Sequence, residues 1–541
     1  MESISTLGEH SGKSDSIWML TSDRPCYEAL ARNERADVII VGAGIAGLST
    51  AYLLGRAGKS VVLLDDGPIV SGESERTTAH LTYVLDDRYF VLEWQHGEKG
   101  ARMIAESHST AISEIERIVL EEQIDCDFLR VDGYLFTPSD GDKDLLDKEL
   151  EAGNRIGLSD LEIVARAPLG FDTGRCLRFP NQAQFHPLKY MTALADAIKR
   201  DGGRIFTNSH VTKIEGGEEA HVEVEGGFTV SADAIVVATN TPINDLLTMH
   251  TKQAAYRNYV VGARVPSGSI ELGLYWDTLD PYHYVRLQSL SDSMSSEASD
   301  VLIVGGEDFK TGQSDDAEVR YAKLETWTHE RFPEVTEFQY RWSGQTMESI
   351  DGVAFIGRNP LDKDNVFIAT GFSGNGMTYG TITGMLLTDM ILGRENSWTT
   401  LYDPSRKTLR AAQTFAEETI NMVIQYGDWL TAGDVEDVAH IPAGTGAIVR
   451  HGLTKYAVYR DEESKIHAYS AVCPHLGAIL AWNHSEKTWD CPCHGSRFDV
   501  LGNVINGPAN TNLPKVEPSS QQNSGGLGGI RTADSLPRTD E

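Results

Sequence analysis

The chain has 541 residues, 40% of them hydrophobic, which is material for about three or four domain-sized cores. Seventy-nine Asp and Glu against 47 Lys and Arg leave a formal charge of −32, so nucleic acid and anionic membrane surfaces are excluded as default partners. The most apolar window, 36–55, is broken by glycines and predicts no transmembrane span; the first twenty residues lack a basic-then-apolar leader, and six cysteines, three of them crowded near the C-terminus, are not laid out as a disulfide scaffold, so a cytoplasmic location is expected.

Residues 1–35 are mostly polar and read as an N-terminal arm. The apolar run from Val38 to Val41 has the length of a buried parallel strand, and Gly42-x-Gly44-x-x-Gly47 follows at once. In such a turn the first glycine permits the bend, the second lets backbone approach a pyrophosphate, and the third lets helix pack on strand; Ile45 lies where that helix opens. A helix through Leu48, Ala51 and Leu54 stops at Gly58, and a second apolar strand ends in Asp65, placed to accept from ribose hydroxyls. This order predicts a dinucleotide site, for NAD or FAD.

Further along, SGESERTTAHLT (71–82) is rich in glycine and small hydroxyl residues, and 185–216 reads as a helix, a Gly-Gly turn and a strand. ADAIVVATNTP (232–242) is another short apolar strand. VLIVGGEDF (301–309) has a strand and two glycines but no GxGxxG and no helix start, so it predicts a strand and not a second dinucleotide fold. In 365–387 a strand runs into Gly-rich turns and a helix; 396–435 reads as a connecting helix, and 517–541 as a disordered Gly/Ser-rich tail.

Near the C-terminus, CPHLG (473–477) and CPCHGSRF (491–498) each offer one Cys and one His as ligands, spaced C-x-H and C-x-x-H. Cys473, His475, Cys491 and His494 could hold a tetrahedral zinc, although zinc sites usually pair like with like. The mixed pairing better suits a two-iron cluster with two thiolates on one iron and two imidazoles on the other.

CPHLG followed by CPCHGSRFD closely resembles the Rieske [2Fe–2S] domain, and GNVINGPA (502–509) looks like the proline loop that covers the cluster in that family; the resemblance spans 436–516. High-potential members pair a Cys at the place of Ala478 with the one at Cys493, and carry a Tyr where Phe498 stands. The resemblance therefore implies a centre without a disulfide, with Ser496 as the remaining hydroxyl donor and a potential toward the low end of the range.

Residues 36–395 resemble the D-amino-acid-oxidase-like flavoproteins, on the glycine fingerprint and the segments at 71–82, 232–242 and 365–387. That resemblance implies FAD. It sets Thr77 and Thr78 along the pyrophosphate and flavin, Val211 against the adenine through its backbone, and Gly374, Asn375, Gly376 and Met377 at a helix N-terminus facing the flavin. Together the two parts look like a known bacterial and archaeal fusion. The expected fold is an α/β FAD-binding Rossmann-like domain, an α+β substrate domain inserted around 180–200 and 245–345, and a small all-β C-terminal Rieske domain.

FAD beside a [2Fe–2S] cluster splits electron pairs into single electrons. The expected substrate is an amine or amino-acid-like small molecule oxidised by hydride transfer to flavin, and the expected acceptor a one-electron protein or quinone. Arg286 is the candidate fork for a substrate carboxylate, with Tyr284, His283 and Arg257 as further pocket candidates. The alternative is a flavin/Rieske reductase component or redox sensor with no organic substrate of its own. A Rieske oxygenase is disfavoured because no D/E-x-x-H-x4–5-H cluster is present for a mononuclear iron.

Overall fold

The computed structural model describes residues 12–138, 141–142, 144–244, 249–290, 299–407, 410 and 412–516; the expected disordered tail lies outside the described residues. A six-stranded sheet runs in the order Phe355–Arg358, Val366–Thr370, Ala234–Val237, Val38–Val41, Val61–Leu64, Arg204–Phe206, parallel except at the 355–358 edge. Its central strands are buried at every position, as a sheet covered on both faces requires. Helices Ile45–Arg56, Pro187–Arg200 and Gly376–Ile391 build up one face, and a small sheet of 34–35, 211–215, 221–224 and 228–231 closes the other. Helices 45–56 and 376–391 cross closely because Gly380 and Gly384 present no side chain: a Cβ at Gly384 would lie 2.8 Å from the Ser49 backbone.

A nine-stranded, mostly antiparallel sheet forms the second unit, in the order 337–349, 253–266, 299–310, 283–289, 274–277, 129–136, 176–184, 80–81, with 162–164 on 176–184. It draws on residues well before the expected insertion, and helix Pro187–Arg200 belongs to the first unit, packed on helix 45–56. VLIVGGEDF lies inside strand Ser299–Lys310.

The C-terminal unit is all β, with a three-stranded sheet (445–451, 454–460, 466–470) and a four-stranded one (481–483, 488–490, 497–498, 504–506). The single connecting helix expected over 396–435 is instead broken into Thr399–Tyr402, Ala412–Gln425 and a 3₁₀ turn, Tyr426–Leu430. Asp403-Pro404 follows the first helix, and a proline there cannot continue it.

The N-terminal arm packs into the fold. Ile17 and Trp18 are fully buried, the Trp18 indole donates to Thr77 O, and Ser14 Oγ donates to Glu486 of the C-terminal unit at 2.6 Å. Among the described residues no helix is long and apolar enough to cross a membrane; the 36–55 window is strand 38–41 and helix 45–56.

Candidate active site and iron–sulfur centre

One cavity of about 730 Å³ opens at the C-terminal ends of strands 38–41 and 61–64. Gly42, Gly44 and Ile45 line it beside Asp65, Thr77 and Thr78; Val211 lines another wall, and Gly374, Asn375, Gly376 and Met377 a third. These positions are distant in sequence and converge here. Gly47 sits behind the wall, where a Cβ would lie 1.8 Å from Gly42 O. Asp65 accepts from the amides of Ala43 (2.5 Å) and Gly67 (3.0 Å); burial, then the neighbouring Asp66, pushes its carboxyl up to about 8. Two helices, 45–56 and 376–391, open into the cavity, and neither N-cap residue, Gly44 or Asn375, makes a side-chain cap. Helix N-termini without an N-cap side chain, of which Ile45 N is taken up by Ser74 Oγ at 3.1 Å, and bare glycine backbone suit a pyrophosphate and a flavin that accumulates negative charge, so this donor set fits FAD.

The far wall comes from the C-terminal unit: Asn503, Ile505, Asn506 and Asn510 line the same cavity. Asn510 donates to Val211 O at 2.9 Å, so this loop, more than four-fifths of the way along the chain, reaches the residue whose backbone was expected to contact an adenine.

Tyr284 lines the cavity, but the other three pocket candidates do not. Arg286 is fully buried one step along the same strand face, with its guanidinium on the carbonyls of Ala79 (2.9 Å) and Phe185 (3.2 Å) and over the Trp18 ring. Burial lowers it to about 9, partly offset by Asp127, and it braces the fold instead of meeting a carboxylate. His283 points to the opposite face, holding Asp277 at 2.8 Å and stacked on Trp327. Arg257 faces the C-terminal unit, bonded to Ser343 and 3.7 Å from Asp490. Residues missed from sequence are Asp86, Trp276, Tyr282 and Phe372, which line the cavity with Tyr284. Tyr282 lies two residues before the candidate Tyr284, and Phe372 lies within 365–387, the segment expected to face the flavin; Asp86 and Trp276 lie in no segment singled out.

The two Cys–His segments fold as matching turns. Cys473 N donates to Ala478 O and Cys491 N to Ser496 O, each at 2.8 Å, while Gly477 (φ +79°) and Gly495 (φ +77°) take the left-handed position in both. The turns bring the Cys473 and Cys491 thiols within hydrogen-bond reach and the His475 and His494 rings to 5.0 Å. Among the described residues no three His, Cys, Asp or Glu side chains gather as one ion would need. A thiol pair beside an imidazole pair is the donor chemistry of a two-iron cluster. The Ser496 hydroxyl reaches Cys473 and accepts from Ala509 N at 3.0 Å; the Cys493 thiol lies within reach of both Cys491 and Met422 O (3.8 Å), and Ala478 and Phe498 are buried.

The family DAO, FAD dependent oxidoreductase, matches residues 37–390, and the Rieske [2Fe-2S] domain matches 428–517. The chain belongs to the FAD-dependent oxidoreductases and carries a Rieske domain. This oxidoreductase is 30% identical over 508 residues to the Bacillus subtilis protein YhfW, named as a Rieske 2Fe-2S iron-sulfur protein, covering 93% of this chain and 97% of that one. It is 28% identical to gamma-glutamylputrescine oxidoreductase of Escherichia coli over 68% of this chain and 86% of that one. Its fold is similar to that of glycine oxidase from Geobacillus kaustophilus, with a TM-score of 0.56 at 17% identity, over 69% of this chain and 100% of that one. FAD and a [2Fe–2S] cluster are its cofactors.

Cys493, inside the C-x-x-H spacing and within reach of Cys491, gives a test of the ligand set proposed for this oxidoreductase, Cys473, His475, Cys491 and His494. Cys493→Ala is expected to keep the Rieske EPR signal and full iron and sulfide content. Cluster loss in that variant, with its circular dichroism unchanged, would contradict the set.

Proposed function

We propose that this oxidoreductase oxidises an amine or amino-acid-like substrate and passes the electrons singly through its Rieske centre to a one-electron acceptor, a protein or quinone. Bound FAD supplies a two-electron acceptor for oxidation beside nitrogen, and the cluster a one-electron carrier. The observation that carries this reading is His250. It belongs to the flavin-binding part of the chain and is buried at 2% exposure, yet its ring lies 4.7 Å from that of His475 and 5.9 Å from that of His494. Its Nδ1 meets Thr241 Oγ1 at 3.4 Å, and Thr241 N donates to the carbonyl of Thr239, which lines the cavity. Hydrogen bonds from the cavity wall to His250, and ring contacts from His250 onward, thus run toward the histidine side of the centre. Gamma-glutamylputrescine oxidoreductase and glycine oxidase, by their names, lend support to C–N chemistry. A cytoplasmic location is part of the proposal, consistent with six cysteines none of which forms a disulfide.

The test is anaerobic mixing of the holoenzyme with a panel of amines and amino acids. Flavin bleaching should precede growth of the reduced-cluster EPR signal. In Cys491→Ser the bleaching should persist and the EPR signal vanish. Rapid bleaching by NADPH with no response to any amine would instead identify a reductase component.

A further inference from the structure

The substrate end of the cavity is chemically one-sided. Trp276, Tyr282, Tyr284 and Phe372 supply aromatic surface, and the Tyr282 and Tyr284 rings lie 5.7 Å apart. Asp86 supplies a carboxylate at this end: its Oδ2 accepts from the Tyr282 hydroxyl at 3.0 Å and lies 2.7 Å from where a Cβ on Gly374 would sit, beside the turn that opens helix 376–391. Behind Tyr282 is Asp308, whose Oδ1 is buried without a hydrogen-bond partner. Asp87 and Glu348 are within electrostatic reach of the same group. Burial first, and the charge of Asp86 second, pushes Asp87 up to about 6 and Asp308 up to about 8.

The nearby cations hydrogen-bond elsewhere. Arg88 donates to Leu85 O and Arg320 forks onto Asp316 at 2.8 and 2.9 Å, although Arg88 stays within electrostatic reach of Asp86 and Asp87, and Arg320 of Asp308. Among the described residues Arg76 is the one Arg or Lys lining the cavity, and its terminal nitrogens are held by Gly12 O, Ser14, Ser343 O and Glu486. Among the described residues a substrate carboxylate therefore meets no guanidinium but that of Arg76, whose terminal nitrogens are taken, and several acidic side chains. A cation finds aromatic faces and a cluster of acidic side chains whose nearest guanidiniums hydrogen-bond elsewhere.

We propose that the substrate is a net-cationic aliphatic amine, one whose charge is not cancelled by a carboxylate of its own, held by Asp86 and the Tyr282–Asp308 pair against the aromatic wall. This rests on the oxidation at FAD proposed above and narrows it. The reacting nitrogen first gives its ammonium proton to solvent; oxidation then removes a hydride from the carbon beside nitrogen and one proton from the nitrogen, both accounted for by reduction of FAD to FADH2, and leaves an imine. Water then adds to the imine carbon, and ammonia, or for a secondary amine the smaller amine, departs to leave a carbonyl.

Three probes share one carbon chain and differ in the distal charge: 1,4-diaminobutane, 1-aminobutane and 4-aminobutanoate. Their dissociation constants are measured by calorimetry on dithionite-reduced holoenzyme, so that no turnover occurs. The expected affinity order is diamine, then monoamine, then amino acid. In Asp86→Asn the preference for the diamine over 4-aminobutanoate should shrink about 10- to 100-fold, the loss of one charge-assisted hydrogen bond. Tyr282→Phe keeps the ring and should shrink it less, and serves if the Asn variant loses FAD absorbance or the cluster signal. Tighter binding of 4-aminobutanoate or glycine than of 1-aminobutane would overturn the proposal; if those acids also bleach the flavin, amine-type oxidation itself still stands. An affinity order that survives in both variants would overturn the role of Asp86. No binding and no bleaching by any amine or amino acid would overturn both readings.

Discussion

Glu486→Ala is expected to loosen the Rieske domain from the flavin-binding units at a cost of about 3–5 kcal/mol, the range for breaking one side of a buried charge network. Glu486 is 1% exposed and meets Arg76 at 3.3 Å, Ser14 at 2.6 Å and Arg257 at 4.0 Å. Arg257 also lies 3.7 Å from Asp490, which Arg497 holds at 3.2 Å. Removing Glu486 leaves Arg76 and Arg257 buried with less compensation, and the arm at Ser14 loses its anchor. Because the loop through Asn510 walls the cofactor cavity from the Rieske side, FAD should also be retained less well. Calorimetric scans should show one shared transition in the parent and two separated ones in the variant, with flavin lost on gel filtration. A single transition at the parent temperature would defeat this account.

Acid should act in the same direction. Burial alone would raise the Glu486 carboxyl, but Arg76, Arg257 and Arg497 outweigh it and hold it at about 2. An unfolded Glu titrates near 4.3. The contribution is thus complete above about pH 4.3 and drains away as the pH falls toward 2, where the folded carboxyl takes its proton. Domain separation on acidification is expected in that window, and Glu486→Gln should remove this dependence.

Gly47→Ala is expected to abolish FAD retention. A Cβ there would lie 1.8 Å from Gly42 O and 3.3 Å from Ile40 Cγ2, and backbone cannot swing aside as a flexible side chain can. Overpacking of this kind costs about 1–3 kcal/mol or more. Falling on the loop that cradles the pyrophosphate, about 3 kcal/mol lowers affinity more than 100-fold. Gly55→Ala, in the same helix with nothing within 4 Å of its Cβ, is the control and should stabilise by about 0.5–1 kcal/mol. Flavin content after desalting reads both variants; FAD held normally by Gly47→Ala would show that helix and strand can part without harm.

The sequence by itself determined the parts whose geometry is set within a few residues. A glycine at position 42 with φ +103°, a third glycine whose Cβ has no room, and an acid at a strand end specify a turn whatever surrounds it. C-x-H and C-x-x-H turns likewise carry their ligand pairing in their spacing, and both fold with the same backbone hydrogen bonds. The substrate wall was only partly legible, because strand periodicity assigns a side chain to a face but not to a point along that face. Tyr284 and Arg286 share a face of strand 283–289, yet one meets the cavity and the other meets carbonyls under Trp18. Strand 253–266 put Arg257 against another unit altogether.

Tertiary structure alone decided the rest. Ser14 and Glu486 are 472 residues apart, Arg76 and Glu486 are 410 apart, and Asn510 meets Val211 across 299. Each of these groups, read in its own segment, is an ordinary polar residue. Burial turns them into a charge network and a cavity wall, because a desolvated ion is tolerated only where its counter-ion is brought to it, and no local spacing records which distant segment brings it.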